Sequence, residues 1–315
     1  MNNMELTRNN HRFHAIQRTD GFTPDLFYRF IRYVDAKPKT VETYTRALKQ
    51  LQNYFIDQNI LEPKREDILQ YRDQLSRTHK PTTVQNYITT VKIFFKWLEQ
   101  ENIYPNIADG IKGAKLNRDH KKDYLTSEQV KDILSNMDAS TLKGKRDYAM
   151  FALAVTGGLR TIEISRANIE DMRTIGDNTV LYIQGKGRDE KTDYIKIELP
   201  IEKAIRSYLK ARGDATGSEP LFTSTSNNNK GNRLTTRSIS GVLKKCMVDA
   251  GYDSERWTAH SLRHTAVTLS LLAGKELSEV QQFARHTNIS TTQIYNHAIE
   301  KSKNTCGEAI ANAIF

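Results

Sequence analysis

Residues 80–103 read KPTTVQNYITTVKIFFKWLEQENI, and residues 37–60 read KPKTVETYTRALKQLQNYFIDQNI. The two stretches are copies at an offset of 43 residues. Lys37-Pro38 answers Lys80-Pro81, Tyr44 answers Tyr87, Leu51 answers Phe94, and Asn59-Ile60 answers Asn102-Ile103. Apolar positions recur at spacings of three, four and seven, which predicts two amphipathic helices, each entered through a Pro and Thr signal. Two copies are too few to stack as a solenoid. They predict two related helices of a compact bundle that also uses the helical patterns at Asp25 to Val34 and Arg65 to Ser76. The Tyr, Phe and Trp stripe along them is expected in the core. Lys39, Arg46, Lys49, Lys92 and Lys96 lie on or beside the solvent faces and are candidates for phosphate contacts.

On the N-terminal side, residues 1–20 are polar and without periodicity, and are expected to be mobile. On the C-terminal side, Gly113 to Asp123 (GAKLNRDHKKD) loses the apolar period and is rich in charge, as an exposed linker would be. Beyond it, Thr126 to Gln129 has capping-box spacing and Arg146 to Val155 reads as a buried helix. Val180 to Gln184 and Tyr194 to Leu199 are β-rich runs flanking Gly185-Lys186-Gly187-Arg188-Asp189, a hairpin signature. Helical patterns follow near Ile201 to Arg212, Ser238 to Ala250, Ser261 to Leu272 and Ser278 to Ala284, with a loop at Thr223 to Asn232. The expected fold is therefore mainly α in two domains. Residues 21–112 form a helical bundle, 113–123 a linker, and 124–315 a mixed α/β domain, mostly helical with a small antiparallel sheet.

A chain of 315 residues suits two such domains, and its 47 Lys and Arg against 37 Asp and Glu leave a formal charge of +10. The excess is spread over both halves, so a polyanion, nucleic acid before membrane surface, is the expected partner. Two cysteines, Cys246 and Cys306, provide neither a disulfide framework nor a cysteine zinc site, and a reducing cytosol fits. The longest wholly apolar run, Ala149 to Val155, is far too short to span a bilayer, and the first 20 residues lack the apolar segment of an export signal.

Four places in the second half join polar residues to turns: Thr156-Gly157-Gly158-Leu159-Arg160-Thr161-Ile162-Glu163, the Gly185-Lys186-Gly187 hairpin, His260-Ser261-Leu262-Arg263-His264, and Arg285-His286 followed by Tyr295. Taken together they supply what an attack on a phosphodiester without a metal needs. The guanidiniums of Arg160 and Arg263 can clamp nonbridging oxygens and stabilise charge growing in a pentavalent transition state. A phenol with an ordinary pKa near about 10 needs that cationic surround, or a base such as His260, to act as a nucleophile. Lys186 on its hairpin can give the leaving alkoxide a proton. Glu163, one turn beyond Arg160, can orient that guanidinium.

Gly-Leu-Arg-x-x-Glu, Gly-Lys-Gly in a hairpin, His-x-x-Arg, and His286 nine residues before Tyr295 resemble the signature of the tyrosine recombinases. Ser290 to His297 (STTQIYNH) is especially similar to the nucleophile segment of Xer-type and integrase-type members. The resemblance covers residues 22–300, since the first domain also resembles the family's core DNA-binding domain. It implies that Arg160, Lys186, His260, Arg263, His286 and Tyr295 form the catalytic set. Tyr295 would attack a scissile phosphate, giving a 3′-phosphotyrosyl link and a free 5′ hydroxyl, with no cofactor, no metal and no ATP. The implied partner is double-stranded DNA carrying a recombination site, on which four protomers exchange strands through a Holliday junction. Two departures accompany the likeness. Ala284-Arg285 stands where the family commonly has Leu-Gly before the second histidine, so the turn there is expected to differ. With only about 20 residues ahead of the bundle, the chain is expected to lack the arm-binding domain of lambda-like integrases.

Two other readings compete. His260 and His264, four apart on a helix, have the spacing of a zinc site, but Ser261 stands where a zincin carries its general-base Glu. A catalytically idle DNA-binding regulator explains the charge but not the ordered Arg, Lys, His, Arg, His, Tyr series. The apolar end, Ala309 to Phe315, needs cover, either by docking on its own chain or, as the resemblance implies, in a neighbouring protomer.

Overall fold

A computed structural model describes residues 24–115, 123–185, 187–213, 215–302 and 305–315. Residues 1–20, most of the linker, and Lys186 lie outside the described residues. Contacts divide the chain into two units, Met1–Arg118 and Asp119–Phe315. Thirteen α-helices and one three-stranded sheet are formed among the described residues.

The first unit contains helices α1 (Pro24–Tyr33), α2 (Pro38–Asp57), α3 (Arg65–Thr78) and α4 (Pro81–Gln100). The repeated pair, α2 and α4, begin alike, with Pro38 and Pro81 in the first turn, where a missing N–H costs nothing. They also end alike. Asn59 and Asn102 take φ of 52° and 56°, and the amides of Ile60 and Ile103 donate back to the carbonyls of Phe55 and Leu98 at 2.8 Å. Asparagine is among the few residues that tolerate this left-handed stop. Phe27 and Phe30 of α1 pack on Phe94 of α4, and Leu48, Leu51, Ile68, Tyr71 and Val91 fill the rest of the core. The aromatic stripe is core as read, but Tyr28 and Tyr33 of α1 face solvent.

The second unit runs α5 (Ser127–Ser135), α6 (Leu142–Thr156), α7 (Thr161–Arg166), β1 (Met172–Ile175), β2 (Asn178–Ile183), β3 (Asp193–Ile197), α8 (Leu199–Arg212), α9 (Thr236–Asp249), α10 (Ala259–Leu272), α11 (Leu277–Ala284), α12 (Ser290–Ser302) and α13 (Cys306–Ile314). Helix α6 carries the longest apolar run because it is buried on all sides: Ala149 through Val155 are each in the core. The sheet is antiparallel in the order β1-β2-β3, with Leu181 paired to Met172 on one side and Ile195 on the other. Strand β1 escapes the sequence reading because three of its four residues are exposed, which leaves no alternation to detect. Its turn, Gly176-Asp177 with Gly176 at φ 56°, was the available signal. The Thr223 to Asn232 loop is closed on itself, with Thr223 bridged to Arg233 and the Ser224 amide donating to Asn232 at 2.8 Å. Arg146 of α6 donates to the Thr223 carbonyl at 3.0 Å and holds the loop against the core.

Candidate active site

The site is assembled where three connections of the second unit converge: the Gly157-Gly158 turn between α6 and α7, the start of α10, and the turn from α11 into α12. Close packing explains the two glycines. A Cβ on Gly157 would stand 2.6 Å from Ile195 Cδ1, and Gly158 has φ +54° with Phe283 of α11 pressed against it. This turn delivers Arg160 to the position just before α7. The Arg160 amide donates to Glu163 Oε2 at 2.8 Å and its guanidinium donates to Glu163 Oε1 at 2.8 Å. Glu163 therefore caps the helix and orients the arginine at once.

Arg263, from α10, is 1% exposed. It donates to the Gly158 carbonyl at 2.6 Å and to the Ala284 carbonyl, so it joins two of the three connections. Burial, then the charges of Arg160 and Arg285, pull its pKa down to about 9, which leaves it cationic at neutral pH. Glu163 shows the opposite balance. Burial alone would raise its carboxyl, but Arg285 and then Arg160 outweigh it and hold the group below the ordinary carboxylate range.

His286 and Tyr295 are brought to the same place. Their rings lie 6.3 Å apart and nearly parallel, and His286 Nδ1 shares a 2.9 Å hydrogen bond with Thr292 Oγ1. Burial, then Arg263, Arg160 and Arg285, push His286 down to about 4, so its imidazole is neutral at physiological pH. Tyr295 is 6% exposed, and its hydroxyl shares a hydrogen bond with His264 Nδ1. Burial raises the phenol to about 12, while Arg263 and Arg160 work the other way. His260 is on the exposed side of α10, its ring edge-on to His264 at 4.5 Å.

Arg160, Glu163, Arg263, His286 and Tyr295 thus share one electrostatic neighbourhood, with His260 joined to it through His264. Lys186, between β2 and β3 in sequence, lies outside the described residues; the carbonyl of the preceding Gly185 accepts from Arg166 of α7 at 3.2 Å. In the first unit, Lys39 and Arg46 both pair with Glu42 on an exposed face of α2, at 2.6 and 3.0 Å. Lys49 and Lys96 are exposed and Lys92 is half-buried. No cluster of three or more His, Cys, Asp or Glu that could hold a metal ion occurs among the described residues. None of the described helices is long and apolar enough to cross a membrane.

Residues 123–302, more than half of the chain, match the phage integrase family, and residues 25–104 match the phage integrase N-terminal SAM-like domain. The chain belongs to the phage integrase family. It is a tyrosine recombinase, a DNA strand-exchanging enzyme. Tyrosine recombinase XerC of Roseiflexus castenholzii is 30% identical over 282 residues, covering 84% of this chain and 85% of that protein. The fold is that of XerH site-specific recombinase bound to its palindromic difH substrate, with a TM-score of 0.70 and 20% identity over 85% of this chain and 80% of that one. A lambda integrase tetramer bound to a Holliday junction has a TM-score of 0.66 and 15% identity, covering 86% of this chain and 75% of that one.

Three residues of this recombinase's site were not assigned from the sequence. In the sequence His264 suggests only a metal ligand, yet it is the partner of the Tyr295 hydroxyl. Its place four residues after His260, on the same helix face, was the signal. Thr292 carries His286 and had none. Arg285, a departure expected to alter the turn, forms a left-handed helix-ending turn of the kind a glycine would serve. The Arg285 and His286 amides donate to the carbonyls of Gln282 and Gln281 at 2.9 and 3.0 Å, with Arg285 itself left-handed at φ 54°.

Proposed function

We propose that this chain is a site-specific recombinase that cleaves one DNA strand with Tyr295 and holds the break as a 3′-phosphotyrosyl bond. The observation that supports it is the convergence of Arg160 and Arg263 on the buried phenol of Tyr295, both acting to lower its pKa against burial. In the proposed step the Tyr295 oxygen bonds to phosphorus, the bond from phosphorus to the 5′ oxygen breaks, and Lys186 gives that oxygen a proton. The phenolic proton passes to a base, His260 on our reading. Arg160 and Arg263 bind the nonbridging oxygens, Glu163 orients Arg160, and neutral His286 adds a hydrogen bond. The 5′ hydroxyl of a partner strand reverses the step. Bond energy is kept in the phosphotyrosyl link, so the proposed cycle needs no nucleotide, and the charge stabilisation assigned to the arginines needs no cofactor or metal. Lys39, Arg46, Lys49, Lys92 and Lys96 are proposed to meet backbone phosphates, and the setting is the cytoplasm.

The test is a nicked duplex carrying the recombination site, incubated with the protein in excess EDTA and run on a denaturing gel. Protein should shift covalently onto the DNA. Tight binding without any adduct would instead identify a catalytically idle regulator.

We further propose that four protomers assemble on two duplexes and pass strands through a Holliday junction, with each tail docked on a neighbour. The terminal helix α13 supports this: it has no buried residue, and Ile310, Ile314 and Phe315 stand exposed. Deleting residues 307–315 should abolish the four-protomer complex in native gels while single-site binding stays within about twofold. Undiminished synapsis by the truncated protein would refute the docking.

A further inference from the structure

Three non-glycine residues among the described ones have positive φ, and two are the asparagines that end α2 and α4. The third is Arg285. Its side chain lacks the short polar group that lets asparagine accept this conformation, and makes one local bond, to the Phe283 carbonyl at 2.7 Å. The rest of its hold is tertiary, to Gly158 and Glu163. Its guanidinium is 8% exposed and donates to the carbonyls of Phe283 at 2.7 Å and Gly158 at 3.0 Å, and to Glu163 Oε2 at 3.2 Å. In return, Arg160 donates to the Arg285 carbonyl at 3.4 Å. Arg285 therefore touches both the carboxylate that orients Arg160 and the turn that delivers it, and it is the residue immediately before His286.

We infer that Arg285 is a positioning residue for strand cleavage, fixing Glu163 so that Arg160 and His286 are presented to the scissile phosphate together. Its guanidinium is buried and turned to protein partners, so its action is through Glu163 rather than on the DNA. The groups facing Glu163 are Arg160 on its own connection, Arg263 from α10 and Arg285 from the end of α11, while Asp193 of β3 acts on Arg285, and His286 feels the three arginines and His260. With two guanidiniums bound, the Glu163 carboxyl is held below the ordinary carboxylate range. Removing Arg285 takes away the larger of these two charge effects, so Glu163 takes up a proton at higher pH and releases Arg160.

The inference rests on the phosphotyrosyl reading above, and the experiment separates the two. Arg285→Gly, Arg285→Lys, Glu163→Gln and the Arg285→Gly/Glu163→Gln double variant are assayed for covalent adduct formation across pH, with thermal melting and site binding measured in parallel. Glycine is the residue best suited to this backbone, so Arg285→Gly keeps the turn while losing the guanidinium. Its cleavage rate is expected to fall at least about tenfold with binding within about twofold, and the acid limb of its rate profile should move to higher pH. Arg285→Lys keeps a charge beside Glu163, so its acid limb should stay near that of wild type even where its rate is reduced. It also serves if the glycine variant fails to fold. Adding Arg285→Gly to Glu163→Gln should cost little more, since both act through one carboxylate. Wild-type cleavage by Arg285→Gly at every pH, or a full additive loss in the double variant, overturns the inference. Absence of adduct from the wild-type protein would instead overturn the phosphotyrosyl reading.

Discussion

Replacing Tyr295 with Phe is expected to abolish the covalent protein–DNA adduct while leaving site binding within about twofold of wild type. The substitution removes one oxygen and keeps the ring, so the packing against His264 and His286 persists. The loss includes the hydrogen bond with His264, which lowers folding stability by about 1 kcal/mol. That cost is detectable in a melting curve and too small to unfold the domain. The measurement is a nicked substrate on a denaturing gel beside a native gel for binding. An adduct formed by Tyr295→Phe would place the nucleophile elsewhere among the 14 tyrosines.

The second large effect divides the cations by role. Arg160→Ala removes a guanidinium that is 29% exposed and aimed from the same connection as its orienting carboxylate. Losing such a donor costs about 3 to 4 kcal/mol in the transition state, a fall of some 10²- to 10³-fold in cleavage. A substrate with sulfur in place of the bridging 5′ oxygen should not restore this rate, because the deficit lies at the nonbridging oxygens. Lys186→Ala should respond in the opposite way. Its deficit is a missing proton for the leaving alkoxide, and a thiolate leaves without one. Arg263→Ala is a less clean probe, because it also strips hydrogen-bond donors from the Gly158 and Ala284 carbonyls. Sulfur rescue of Arg160→Ala but not of Lys186→Ala would reverse the general-acid assignment.

The bundle was legible because its information is periodic and local. The repeat announces α2 and α4, and even the asparagines that close them stand at matching positions in the two copies. The candidate site could be singled out for a different reason: an ordered series of cations, histidines and a tyrosine has few chemical uses. What stayed hidden depends on distant contacts. Strand β1 carries no inward-facing alternation, so only its Gly-Asp turn betrays it. Arg285 looks like a defect in a helix-ending turn until Glu163 and the Gly158 carbonyl, more than 120 residues away in sequence, are brought beside it. Likewise the spacing of His264 from His260 puts it on the same helix face, but only the fold, across 31 residues, brings Tyr295 against it.

That last contact bears on how safely such an enzyme can travel along a chromosome. A phenol raised to about 12 is ionised in roughly one molecule in 10⁵ at pH 7. If Tyr295 is the proposed nucleophile, its resting hydroxyl is protonated and hydrogen-bonded to an imidazole, so stray contact with a phosphate is expected to leave no scar. On the proposed chemistry, cleavage is expected to require a seated duplex that breaks the hydrogen bond between Tyr295 and His264, since Arg160 and Arg263 already act on the phenol at rest. Fidelity is then set partly by the resting state of one hydroxyl, and not solely by how well bases are read.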